Sequence, residues 1–120
     1  MRLSILVVEP DDLTLQTTRS MIEASGHIVF TAKNRGAALN MLSAIGVDVV
    51  VTSLALEEKD EGLLLASQAK TLQSSIVIFL ISDKYENLLP YHSKVDVCIQ
   101  NPIDCDEIEH AVKFLRKKFR

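Results

Sequence analysis

Tryptophan is absent from the chain, and the aromatic side chains amount to two tyrosines and four phenylalanines. Surfaces that stack nucleic-acid bases need several exposed rings, so this scarcity argues against one. An excess of positive charge is missing too. The net charge is −3, which gives no global attraction for a polyanion. Cysteine is limited to Cys98 and Cys105, too few for a disulfide framework and without the CxxC spacing of many metal sites. His27, His92 and His110 are scattered, so zinc ligation is not expected. No apolar run approaches the roughly 18–20 residues that cross a bilayer. The first residues turn acidic at Glu9, Asp11 and Asp12, too early for a signal peptide. These absences predict a cytoplasmic protein with free thiols and with no metal, cofactor, membrane or nucleic-acid requirement.

What is present is an alternation of short apolar runs and amphipathic stretches. The 120 residues suffice for a proper core and read as one domain over 1–120, with no separate output domain. Leu3 to Val8 is an apolar run closed by Glu9-Pro10-Asp11-Asp12, where Pro10 cannot donate in a central strand. Asp11 or Asp12 can cap a helix running to about Ser25, with Gly26 as its stop. Ile28 to Ala32 reads as a second strand, and Asn34 as the cap of a helix closed near Gly46. Val49 to Thr52 is the third strand, followed by a charged loop from Glu57 to Gly62. A helix over Leu63 to Leu72 is expected to turn Ala66, Ala69 and Leu72 inward. Ile76 to Ile81 is the fourth strand and Val97 to Gln100 the fifth. The stretch from Asp83 to Lys94 is less regular, because Pro90 breaks or shortens any helix there. Asp104 begins a final helix with Ile108, Ala111, Val112, Leu115 and Phe119 on one face.

Five near-continuous apolar strands alternating with helices suit a parallel sheet covered on both faces. Right-handed crossovers leave few topologies, and the flavodoxin-like (βα)5 order 2-1-3-4-5 is the expected one. Ligands and chemistry then gather at the C-terminal ends of strands 1, 3, 4 and 5. Those ends are Glu9-Pro10-Asp11, Ser53 to Ala55, Ile81-Ser82 and Gln100-Asn101-Pro102. Ser53 is the most telling of them, because its strand ends in a hydroxyl at the edge where a reactive carboxylate would serve.

These segments, in this order and at this spacing, resemble the receiver domain of bacterial two-component response regulators over essentially the whole chain. Ile5-Leu6-Val7-Val8-Glu9-Pro10-Asp11 is similar to that family's first strand and its acidic residues. Asp48-Val49-Val50-Val51 and Leu54-Ala55-Leu56 bracket its phosphorylation site, and Asn101-Pro102-Ile103-Asp104 is similar to its Lys-Pro-Phe turn. The resemblance implies an aspartate ending strand 3 as phosphoacceptor, acidic residues after strand 1 for Mg²⁺, a Ser or Thr ending strand 4 and a lysine ending strand 5. This sequence departs from the set at each point. The acceptor position holds Ser53, a metal-ligand position holds Pro10, and the lysine position holds Asn101. The Ser/Thr position falls at Ile81, or at Ser82 with a shift of one residue. Cys98 stands where an aromatic is common, and the loop from Glu57 to Glu61 carries an extra residue.

The resemblance, with these departures, implies a degenerate receiver that is not an enzyme. Its function is then a phosphorylation-independent protein-interaction or regulatory module of two-component-type signalling. Its partner is another signalling protein or a second copy, met through the face of the fourth helix, fifth strand and fifth helix. Tyr91, His92, Cys98, Lys113 and Lys117 are the candidate contacts there. Bland roles compete with each candidate. Ser53 can simply fill a polar pocket, the acids after strand 1 can cap a helix, and the basic residues near the chain's end can complement a helix dipole. The alternative function is a small-ligand-binding or flavodoxin-like enzyme or cofactor domain. It is disfavoured because Glu9-Pro10-Asp11-Asp12 repels the phosphate that such a loop would cradle.

Overall fold

The computed structural model describes residues 2–83 and 94–100 together with residues 106, 107, 110, 113, 114 and 117. Its elements are β1 (Ser4–Val8), α1 (Asp12–Ala24), β2 (Ile28–Ala32), α2 (Arg35–Ala44), β3 (Val49–Ser53), α3 (Glu61–Leu72), β4 (Val77–Ser82) and β5 (Val97–Gln100). The six isolated C-terminal residues are helical. The expectations for the stretch holding Pro90, Tyr91 and His92, and for Asn101, Pro102 and Cys105, lie outside the described residues.

The strands form one parallel sheet in the order β2-β1-β3-β4-β5, as the alternation predicts. Each is short and β-branched, and parallel strands with both faces covered carry such continuous apolar runs. Alternation along the strands sorts the core into two layers. Ile5, Val7, Val49, Val51, Val77, Phe79, Ile81 and Ile99 form one layer with Leu15 and Ile22 of α1. Leu6, Val8, Val50 and Ile78 form the other with Ala38 of α2 and Leu65, Ala66 and Ala69 of α3. Phe114 of the C-terminal segment meets Phe79 of the first layer edge-on, with ring centroids 6.1 Å apart.

The helices begin where short polar side chains offer an acceptor. Asp11 caps α1 by accepting from the Thr14 N–H and hydroxyl, and Asn34 caps α2 by accepting from the Ala37 N–H. Each such cap satisfies a backbone N–H that a helix start otherwise leaves without an intrahelical partner. Gly26, at φ +93°, takes the left-handed backbone that stops α1.

Two aspartates fix the opposite edge of the sheet. Asp48 Oδ2 accepts the Ser4 N–H at 2.9 Å ahead of β3, and Asp96 Oδ2 accepts the Ile78 N–H at 2.8 Å ahead of β5. Lys70 of α3 reaches the same Asp96 carboxylate at 2.9 Å and the Ile76 carbonyl at 2.5 Å.

Two expectations need correction. Leu72 is exposed and Leu65 is the buried leucine of α3. Over the last turn of α3, Lys70 and Gln73 use polar tips to bond Ile76, Asp96 and Val47, and this leaves Leu72 on the outer side. Glu61 and Gly62 belong to α3 and not to the loop before it.

Candidate functional site

The register of the sheet decides which residues meet at its C-terminal edge. Val8 pairs with Thr52, so the next residues, Glu9 and Ser53, leave β1 and β3 side by side. Ser53 pairs with Ile81, and Ile81 with Ile99. Glu9, Ser53 and Ile81 thus continue the alternating series that faces α1, whereas Thr52 and Ser82 belong to the series facing α2 and α3. A cavity of about 380 Å³ opens at this edge, lined by Glu9, Ser53, Lys59, Asp60, Ser82 and Asp83 among others.

Inside it two of the polar side chains are paired with each other. The Ser53 hydroxyl donates to Glu9 Oε1. Glu9 Oε2 accepts the Asp11 N–H at 2.8 Å, so both oxygens of this carboxylate hold protein donors. Pro10 is exposed and supplies no oxygen ligand from its side chain. Asp11 turns to its capping role, and the Thr14 N–H and hydroxyl, with some help from Lys33, hold its carboxyl below the usual carboxylate range. Asp12 pairs with Lys33 at 2.5 Å, outside the cavity lining.

The floor of the site is set by a close approach. The Gly62 N–H donates to the Leu54 carbonyl at 2.7 Å, and the Leu54 N–H donates to the Ile81 carbonyl at 2.8 Å. A Cβ on Gly62 would lie 2.1 Å from the Ser53 carbonyl oxygen, so only glycine lets α3 start here. The preceding Asp60 holds φ +62° and makes no side-chain cap. Asp has a short polar side chain that tolerates this left-handed region better than most.

Of the residues singled out from sequence, Glu9, Ser53, Ile81 and Ser82 meet at this cavity, and Pro10 and Asp11 flank it. Asn101 lies outside the described residues. Lys59 and Asp83 were not anticipated as lining residues. Nothing in a charged loop marks which of its members turns inward, although a glycine within that run is a signal of close approach. Arg35, Glu61 and Gln68 were also missed, being charged or polar residues on two different helices.

The partner-contact candidates lie elsewhere. Cys98 of β5 pairs with Leu80 of β4 and is half-buried, and burial pushes its thiol up, away from the reactive thiolate. It lines a second cavity of about 450 Å³ with Val97, Gln100, Glu107, His110 and Phe114. Lys113 and Lys117 are exposed helical residues of the same C-terminal segment. Among the described residues no cluster of three or more His, Cys, Asp or Glu could hold a metal ion. No described helix is long and apolar enough to cross a membrane.

Comparison with known proteins is consistent with this geometry. The family described as response regulator receiver domain matches residues 5–113. No curated protein matches the sequence significantly. Among solved structures, the chain is similar to a CheY-like receiver domain from Methylobacillus flagellatus, with TM-score 0.88 and 22% identity over 96% of this chain and 99% of that one. It is similar to the response regulator TrrA from Thermotoga maritima, solved in complex with Mg²⁺ and BeF, with TM-score 0.85 and 20% identity over 94% and 98% of the two chains. NtrX from Brucella abortus, solved with ATP, matches with TM-score 0.88 and 20% identity over 98% of this chain and 28% of its own length.

Proposed function

The chain belongs to the response regulator receiver domain family, a two-component signalling module rather than a classical enzyme, and from that premise we propose that it acts as an interaction module without phosphate control. The observation that carries this reading is the hydrogen bond from Ser53 to Glu9. Phosphoryl transfer at this edge needs a carboxylate nucleophile and a metal to neutralise charge on the transferring group. In this reading Ser53 stands at the acceptor position, and its hydroxyl is committed to Glu9. Ile81, level with Ser53 in the sheet, stands at the Ser/Thr position in preference to Ser82. Pro10 and Asn101 stand at the metal-ligand and lysine positions.

The donor set does not fit Mg²⁺. That ion demands near-octahedral oxygen coordination with carboxylates among its ligands. Glu9 already accepts from two protein donors, Pro10 offers none, and a neutral hydroxyl replaces the third acid. With fewer carboxylates crowded together, a lysine at position 101 is no longer needed to offset their repulsion.

The output in this reading passes through a partner protein or a second copy, met by the surface of β5 and the C-terminal helical segment. Cys98, Lys113 and Lys117 contribute to it, with Tyr91 and His92 nearby in sequence. Two experiments test the proposal. Intact-mass measurement after incubation with acetyl phosphate and Mg²⁺ is expected to show no added phosphoryl group, and a stoichiometric gain overturns phosphate independence. Affinity capture with Tyr91→Ala and Lys117→Glu is expected to lose partners that the wild type retains. Unchanged capture by both variants would mean the wrong face was chosen.

A further inference from the structure

The loop between β3 and α3 carries Lys59 and Asp60 to the cavity, and beside its own backbone bonds, Leu56 N–H and Glu61 N–H to the Glu58 carbonyl, one carboxylate holds it from outside. Glu61 Oε1 accepts the N–H of Glu57 at 3.0 Å and that of Glu58 at 2.9 Å. Its other oxygen accepts from Arg35 Nε at 2.9 Å, and Arg35 Nη1 donates to Gln68 Oε1 at 3.0 Å. A guanidinium at the start of α2 therefore orients a carboxylate at the start of α3, and that carboxylate holds the loop by its backbone.

This pair is more shielded than the ion pair between Lys33 and Asp12. Its side chains are 31% and 13% exposed, close to the 20% and 20% of Lys70 and Asp96, whereas those of Lys33 and Asp12 are 55% and 79% exposed. Shielding of that kind leaves a charge-assisted hydrogen bond stronger than a solvated one. Asp60 offers no side-chain cap for the first turn of α3, so Glu61 supplies the carboxylate that binds the loop amides there.

We propose that Arg35 and Glu61 form a latch that fixes residues 57–60 in one position beside the cavity, so that a contact between α2 and α3, and not the side chain at position 53, sets the cavity's shape. The inference rests on the reading of the site as phosphate-independent and supplies its physical basis. A loop already held by a permanent ion pair needs no covalent trigger to order it.

Amide hydrogen exchange of the full chain, followed residue by residue by NMR, tests the latch. The amides of Val50 and Ile78, in the middle of the sheet, serve as the internal reference. In the wild type the Glu57 and Glu58 amides are expected to be protected. Arg35→Ala and Glu61→Ala are expected to speed their exchange about tenfold or more, with the reference amides unchanged. Arg35→Lys is expected to keep part of the protection, and Ser53→Ala all of it. Unprotected loop amides in the wild type would overturn the latch. So would equal protection in Arg35→Ala, or a rise shared evenly with the reference amides, or release by Ser53→Ala as large as by Arg35→Ala. No phosphoryl donor is present in this experiment, so it can fail while the mass measurement above succeeds, and the reverse.

Discussion

The α-carbon of Gly62 lies so near Ser53 that a methyl group on it would come within 2.1 Å of the Ser53 carbonyl oxygen and 2.9 Å of the Leu54 α-carbon. The obstructing atoms are backbone, which cannot swing aside as a side chain does. The start of α3 and the end of β3 are thus fitted together with no space for a side chain.

Gly62→Ala is expected to lower stability by about 1–3 kcal/mol, because α3 must shift away from the site to relieve the overlap. Gly46→Ala is the comparison, since nothing lies within 4 Å of its added Cβ. Urea midpoints for the two variants should differ clearly, and equal midpoints would contradict the close approach.

Ser53→Ala removes the donor that Glu9 Oε1 now holds. Both residues are half-buried, so water replaces the lost hydroxyl in part. The expected loss is about 0.5–1.5 kcal/mol in chemical denaturation, with partner binding unchanged. Loss of partner capture in this variant would instead give Ser53 a direct role.

Ser53→Asp alone is expected to stay inert to acetyl phosphate and Mg²⁺, because in the proposed reading the metal-ligand and lysine positions would still hold Pro10 and Asn101. The triple change Ser53→Asp, Pro10→Asp and Asn101→Lys is expected to gain a phosphoryl group by intact mass. Mg²⁺-dependent labelling of the single variant would contradict the proposed reading of the pocket.

Glu61 sets an acid limit on stability. Its bond to Arg35 first, then the backbone N–H groups of Glu58 and Glu57, hold its carboxyl below the ordinary glutamate value. A depressed carboxylate contributes its full stabilisation above the unfolded value of about 4.3 and loses it as pH falls through the lower folded value. The charged groups around it are Arg35 on α2 and Glu57, Glu58, Lys59 and Asp60 in the loop. Thermal midpoints of the wild type and Glu61→Gln should therefore differ near neutral pH and converge as pH falls below about 4. A gap that stays constant down to pH 3 would mean that the ionised form of Glu61 is not what the fold recognises.

Much of the architecture was legible in the sequence, because period and punctuation carry it. The runs Ile28 to Ala32 and Val97 to Gln100 coincide with the strands observed, and Asn34 and Gly26 mark helix ends through their own chemistry. Leu72 was misread because a helical period assigns a face without knowing where the sheet beneath it ends. At the site, Ser53 and Glu9 were legible as strand-end residues, but their hydrogen bond depends on the register between β1 and β3, which no local pattern encodes. Arg35 and Glu61 were illegible for the same reason, being brought together by the packing of α2 against α3.

Ile81 has a further consequence. Glu9 and Ser53 stand outside both hydrophobic layers, so exchanging either leaves the packing of those layers intact. Ile81 occupies the same edge but is 7% exposed and belongs to the layer with Phe79 and Ile99. A threonine there would give up buried methylene packing and bring in a hydroxyl that needs a partner, at a cost of about 1–2 kcal/mol. The three positions are therefore unequal in what the fold tolerates. Exchange for another polar residue at Glu9 or Ser53 leaves both hydrophobic layers intact, whereas any such exchange at Ile81 opens one of them.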